Sequence, residues 1–166
     1  MKNYLLLIVF LCTGMLYTET TEVPANKRHE FKIDIAYLFV PCLKIEYEFI
    51  LSDEASLGAV CFWGSDNIDT QYQYLGFYRW YFGKEPISGF FLEGHVGFSR
   101  LLRSNSWYEW EDRYDTYMGA GFALGRKYVT KNGVVLDFFI GPGRVLNGES
   151  ENEFYPRMGI TLGKRF

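Results

Sequence analysis

From residue 31 onward the chain repeats one pattern: an apolar side chain at every second position, interrupted by turn residues and then begun again. Phe31, Ile33, Ile35, Tyr37 and Phe39 alternate with Lys32, Asp34 and Ala36. Leu43, Ile45, Tyr47, Phe49 and Leu51 alternate with Lys44, Glu46 and Glu48. Ala55 to Trp63 is a third segment with a less distinct face. Tyr72, Tyr74, Tyr78, Trp80 and Phe82 then alternate with Gln73 and Arg79, and Phe90, Leu92, Val96 and Phe98 with Glu93, His95, Gly97 and Ser99. Met118 to Leu124, Val134 to Ile140 and Met158 to Leu162 repeat the pattern to the C-terminal Phe166. A period of two is that of a strand with one apolar face, and no helical period competes past residue 25. Eight such segments, mostly roughly 9–12 residues long, predict an all-β chain folded as an eight-stranded antiparallel up-and-down barrel.

Composition agrees and removes other classes. In 166 residues, 19% are aromatic and 17 are Gly, which suits strands and disfavours a helical bundle. A net charge of −3 without a basic stripe makes nucleic acid an improbable partner. A mean hydropathy of −0.10 argues against a helical membrane protein.

The N-terminus reads differently. Lys2 precedes an apolar run from Tyr4 to Leu16 that is too short for a spanning helix, which needs about 20 residues. This is the form of a secretory signal peptide, expected over 1–20, followed by a short polar leader over 21–28 and the barrel over 29–166. Cys12 lacks the small preceding residue that a lipobox requires. After removal Cys42 and Cys61 remain, and two free thiols are favoured over a disulfide.

Connection lengths alternate. Residues 52–54, 83–89 and 130–133 are short links, the last with an Asn132-Gly133 hairpin turn. The links 64–69, 100–115 and 144–153 are longer, and only the first, near Pro41, breaks the alternation by being very short. Short turns on one side and long loops on the other are the habit of outer-membrane barrels. A lipocalin-like barrel would instead turn its apolar face inward around a ligand. Strand length, a small and charged polar face, and a final aromatic favour lipid outside. So do aromatic residues at two levels: Phe31, Phe49, Trp80, Phe82, Phe90 and Tyr128 at one, Phe39, Tyr72, Tyr74, Phe98 and Phe154 at the other. The fold expected is therefore a transmembrane β-barrel. A charge placed on its outer face, as in Leu92→Arg or Phe122→Arg, should block assembly, with Glu93→Gln and Gly121→Ala milder.

Three stretches carry a resemblance: Leu43-Lys44-Ile45-Glu46-Tyr47-Glu48, the run from Gly76 through Arg79, Trp80 and Pro86 to Phe91, and Gly159-Ile160-Thr161-Leu162-Gly163-Lys164-Arg165-Phe166. On these, residues 30–166 resemble the small outer-membrane barrels of Gram-negative bacteria, of the OmpA transmembrane type. They look closest to an uncharacterised branch, a domain of unknown function. The resemblance implies location in the outer membrane after export through the periplasm, contact with its lipid, and a role for Phe166 in the signal read by the barrel-assembly machinery. It implies no activity.

The polar face carries the candidate chemistry. Asp34, Glu46, Glu48, Glu93 and Asp137 face Lys32, Lys44, Arg79 and Arg157 in near balance, which predicts a salt-bridged plug rather than an ion path. Arg79 and Glu46, on strands that are not sequence neighbours, are expected to meet across the lumen. Glu93, His95 and Ser99 share a face, but His95 and Ser99 stand roughly 13 Å apart along a strand at about 3.3 Å per residue, too far for a nucleophile and its base. Gly119 to Gly125 is a strand rather than a phosphate loop, and His29 with His95 gives no metal spacing. No cofactor or metal is implied. Trp107, Tyr108 and Trp110, with acids around them, make the 100–115 loop a candidate contact for an extracellular glycan or protein, although packing on the barrel rim is favoured. The function expected is a structural or surface-interaction barrel without catalysis. The alternatives are a lipid A acyl-chain-modifying barrel enzyme and a soluble carrier of an apolar ligand.

Overall fold

A computed structural model describes residues 27–39, 42–65, 70–83, 85–103, 113–147 and 154–166. Eight strands close into one antiparallel barrel in sequence order: β1 (His29–Asp34), β2 (Cys42–Ile50), β3 (Ala55–Gly64), β4 (Thr70–Phe82), β5 (Gly89–Arg103), β6 (Arg113–Val129), β7 (Val134–Val145) and β8 (Phe154–Arg165). The seam pairs β1 with β8, from Glu30 opposite Arg165 to Asp34 opposite Thr161. Backbone bonds between His29 and Phe166 lock its end. Closure leaves no sheet edge to pair with another chain.

Two boundaries differ from the sequence reading. The first strand was expected to run to Phe39, but it stops at Asp34 and a 3₁₀ turn follows, Ile35–Phe39. The cause is local. The Ala36 N–H donates to Asp34 Oδ1 at 3.1 Å, and this Asx turn ends the strand although the apolar alternation continues through it. The link from β1 to β2 is therefore not very short but covers 35–41, and the exception to the alternation moves to 65–69, which is shorter than 83–88. Links 51–54, 83–88 and 130–133 share one end of the barrel with His29 and Phe166; the other four links join strands at the opposite end.

The second difference is at that far end. Residues 100–103 and 113–115, expected in a loop, continue the β5–β6 ladder, with Arg100 opposite Thr116 and Leu101 opposite Asp115. A ladder needs only backbone N–H and C=O groups, so it persists where apolar alternation has stopped. Two ladders are irregular: β4–β5 shifts register between Thr70 and Tyr72, and β6–β7 is interrupted. The β6–β7 register pairs Gly121 with Gly143 and resumes at Leu124 opposite Ile140; Pro142, which has no N–H, sits in the gap and faces Pro156 across β7–β8.

The two barrel faces are of opposite character. Phe31, Leu57, Tyr78, Phe90, Phe122, Leu124 and Ile140 point outward and are exposed. Glu30, Lys32, Glu46, Glu48, Arg79, Glu93, Lys127 and Asp137 point inward and are fully buried. Outward rings gather at both levels. Trp80 and Phe82 lie 4.8 Å apart near the termini, and Trp63, Tyr74 and Phe98 form a chain of ring contacts at the other level. Phe49 is half-buried beside His29, and Phe39 lies in the 3₁₀ turn.

Candidate functional site

The lumen has two halves. Every buried charged side chain among the described residues has an opposite partner, most of them in the half nearer the termini and the Asp34–Lys44 pair toward the far mouth, where Lys44 lies over the Tyr37 ring. The acids are Glu30, Asp34, Glu46, Glu48, Glu93 and Asp137; the bases are Lys32, Lys44, Arg79, Lys127, Arg157 and Arg165. Two residues are hubs. Glu48 Oε1 accepts from Ser56 Oγ (2.5 Å), Tyr81 OH (2.6 Å) and Lys127 Nζ (2.7 Å), and Glu48 Oε2 accepts from Lys32 Nζ (2.5 Å) and Arg79 Nη1 (2.7 Å). Arg79 also reaches Asp137 Oδ2 and Glu93 Oε2, both at 2.9 Å, and lies 3.0 Å from Glu46 Oε1. Strand β4 thus delivers one guanidinium to carboxylates on β2, β5 and β7. Arg157 on β8 donates to Glu93 Oε1 at 2.9 Å, and Lys44 to Asp34 Oδ2 at 2.7 Å.

The structure brings Arg79 and Glu46 together, along with the other seven charged residues singled out from sequence. It adds three that the sequence reading missed: Glu30, Lys127 and Arg165. Each continues the inward parity of its strand by one step, and that parity was the available signal. Arg165 Nε donates to Glu30 Oε1 at 2.7 Å, and Lys127 Nζ to Glu30 Oε2 at 2.7 Å.

The polar face also holds large rings, where small residues beside charges were expected. Phe77, Phe91, Phe139 and Tyr81 are buried in the lumen, and the Arg79 guanidinium sits 4.3 Å from the Phe77 ring centre and 4.5 Å from that of Phe91. Glycines on neighbouring strands make the room. A Cβ at Gly159 would meet the Phe139 ring, and one at Gly58 that of Phe77. Charged heads and flat rings thus fill an eight-stranded interior that is only about side-chain wide.

The terminal end is corked. Ile87, in the turn between β4 and β5, folds inward to 1% exposure against Ile50, Tyr81, Phe91 and Phe139. Its N–H donates to the Asp53 carbonyl (2.9 Å), and its carbonyl accepts from Arg165 Nη2 (3.0 Å). Its φ is +45°, a strained value for a β-branched residue. Ile87→Ala should cost about 2–5 kcal/mol in urea unfolding from micelles, because the apolar plug is lost and the strain stays. Ile87→Gly should lose less than Ile87→Ala by about 1 kcal/mol, since glycine accepts this φ.

Glu46, Glu48 and Asp137 bring carboxylate oxygens close enough to hold a cation, but Lys32 Nζ already sits among them at 2.5–2.6 Å. His95 Nε2 bonds the Tyr155 hydroxyl at 3.1 Å, while Ser99 Oγ accepts from Gln73 Nε2 at 3.1 Å. Glu93 Oε1 lies 3.6 Å from His95 Nδ1, but Ser99 is bonded elsewhere, so the trio does not form a relay. Cys42 and Cys61 are free and half-buried; Cys61 faces Ile45, three positions along β2 from Cys42. Phe166 is exposed, with its ring stacked 5.9 Å from His29 at the seam. Trp107, Tyr108 and Trp110 lie outside the described residues, as do residues 1–26.

The chain shares its architecture with a known barrel. Its structure is similar to the crystal structure of the N-terminal β-barrel domain of Pseudomonas aeruginosa OprF, with a TM-score of 0.59 and 15% identity over 85% of this chain and 100% of that one. The fold is that of an OmpA-type eight-stranded barrel. No family model matches the chain, and no curated protein matches it.

Proposed function

We propose that the protein is a structural and surface-interaction barrel of the bacterial outer membrane, exported through the periplasm, with a closed lumen and no catalytic turnover. One observation carries this reading: the barrel is inside-out, with twelve formal charges buried within among the described residues and aliphatic and aromatic side chains exposed around it. An exposed apolar band is unfavourable in water by about 25 cal/mol per Å², and lipid removes that cost. A soluble carrier of an apolar ligand would need the opposite arrangement. With export through the periplasm, the short links and the strand ends at His29 and Phe166 would face the periplasm, the habit of outer-membrane barrels. The three quoted motifs support membership of the uncharacterised OmpA-type branch. Phe166, outward and terminal, is suited to recognition by the assembly machinery, and the loop bearing Trp107, Tyr108 and Trp110 to contact with an extracellular glycan or protein.

Against a lipid-modifying enzyme, His95 points into the lumen with its ring held by Tyr155, away from where acyl chains would lie. Expressed with its leader, the protein should fractionate with outer membranes and migrate faster on gels unheated than boiled. Full solubility without detergent would overturn the membrane reading. His95→Ala should leave the lipid A acylation profile of the host unchanged, and an altered profile would overturn the absence of turnover.

A further inference from the structure

The end of the lumen away from the termini differs from the charged half in every respect that matters to a ligand. It opens into a cavity of about 630 Å³, within the range of small-molecule sites. Phe62, Gln73, Leu75, Ser99, Tyr117 and Tyr155 line it from five strands, and no Asp, Glu, Lys or Arg is among its described lining residues. Five of the buried acids and five of the bases lie below; the remaining pair, Asp34 and Lys44, flanks the cup beside Tyr37 and is joined at 2.7 Å. A charged ligand here would give up water and meet no opposite charge among the described lining residues, which is costly.

We propose that this cup binds a small neutral aromatic molecule bearing a hydroxyl or carbonyl group. Rings supply the apolar part of the recognition. Tyr37 and Phe62 meet edge-on at 5.5 Å, and Tyr155 meets His95 at 5.9 Å, an arrangement into which a further ring can pack edge-to-face. The polar part is sparse and directional. Gln73 and Ser99 stand opposite each other on β4 and β5 and share one hydrogen bond of 3.1 Å, which uses one donor of the amide. An amide has a second N–H and a carbonyl oxygen with which to read a ligand hydroxyl or carbonyl. The floor is fixed. Tyr155 lies against Gly119 and Gly143, where any Cβ would strike its ring, and its hydroxyl is tied to His95. A site with its rings already held loses little freedom on binding.

The test uses the purified barrel in detergent micelles and 2-naphthol as probe, titrated by calorimetry or by chemical shifts of the tyrosine rings. Saturable binding is expected. 2-Naphthoate, which has the same rings and a carboxylate, should bind at least about tenfold more weakly. Ser99→Phe, which fills the cup, should reduce 2-naphthol affinity by at least about tenfold, with the same micelles controlling for partition into detergent. Should Ser99→Phe fail to fold by circular dichroism, Gln73→Leu keeps the volume without the amide and should weaken 2-naphthol several-fold. Non-saturable uptake, equal affinity for the two probes, or unchanged affinity in the folded variant would each overturn the proposal. The cup requires only the barrel, so this test and the membrane fractionation fail independently.

Discussion

Gly94→Arg should prevent assembly into vesicles, whereas Gly94→Leu should be tolerated. Gly94 sits at mid-strand on the outer face, between Tyr78 on β4 and Phe122 on β6. A Cβ added there has nothing within 4 Å, so neither substitution disturbs packing and only the chemistry of the new side chain is tested. An arginine facing lipid near the midplane costs about 2–4 kcal/mol, while a leucine gains by being there. Leu92→Arg and Phe122→Arg should fail in the same way, with the loss of an apolar side chain added. The controls suggested by the sequence do not survive the geometry. Glu93 accepts hydrogen bonds from both Arg79 and Arg157, so Glu93→Gln strips a carboxylate from two buried guanidinium groups. Gly121→Ala would drive a Cβ into the backbone at Pro142 and Gly143. Neither is mild, and Gly94→Leu replaces them. The assay is the heat-dependent gel shift after refolding into vesicles, with urea unfolding for variants that fold. Equal assembly of Gly94→Arg and Gly94→Leu would mean that this face does not meet lipid.

The same parity that makes Gly94 an outward position made most of the barrel legible in the sequence. A period of two encodes which face each residue takes, and closing the barrel turns that single variable into inside and outside. The parity holds at Glu46, Glu48, Arg79, Glu93 and Asp137, all inward and buried, and it would have captured Glu30, Lys127 and Arg165 had the inward positions been followed one alternation further. It failed where a local bond overrides it. Ile35, Tyr37 and Phe39 keep the alternation, yet the Asp34 carboxylate has already turned the chain. Tyr37 is carried to the mouth of the lumen, where its ring meets Phe62 and the Lys44 ammonium. Ile87 was illegible for the opposite reason. It lies in a turn beside Pro86 with no period at all, and only the closed barrel creates the apolar hole that it fills. The outer cup was illegible too, because its emptiness depends on Gly97 and Gly119 lining the same space as the small Ser99, a coincidence of register across β5 and β6.

Register also decides how the charged half responds to loss of its centre. Arg79→Met should be the most damaging single change in the lumen. It removes the cation that four carboxylates share: Glu48 at 2.7 Å, Glu93 at 2.8 Å, Asp137 at 2.9 Å and Glu46 at 3.0 Å. Six buried acids would then face five bases, and one uncompensated buried charge costs about 3–5 kcal/mol. Arg79→Lys keeps the charge but not the planar fork that spans β2, β5 and β7, so its cost should be intermediate. Glu46→Gln also leaves one charge uncompensated, five acids to six bases, but should cost less than Arg79→Met, because Lys32 loses a contact of 2.6 Å and keeps Glu48 and Asp137, and Arg79 keeps three partners. The double variant restores parity, five acids to five bases, and should cost clearly less than the sum of the singles. Urea unfolding of the four proteins from the same micelles supplies the cycle. Strict additivity would mean that Arg79 and Glu46 do not act as partners, and would leave Glu48, with its five donors, as the residue on which the charged half is organised.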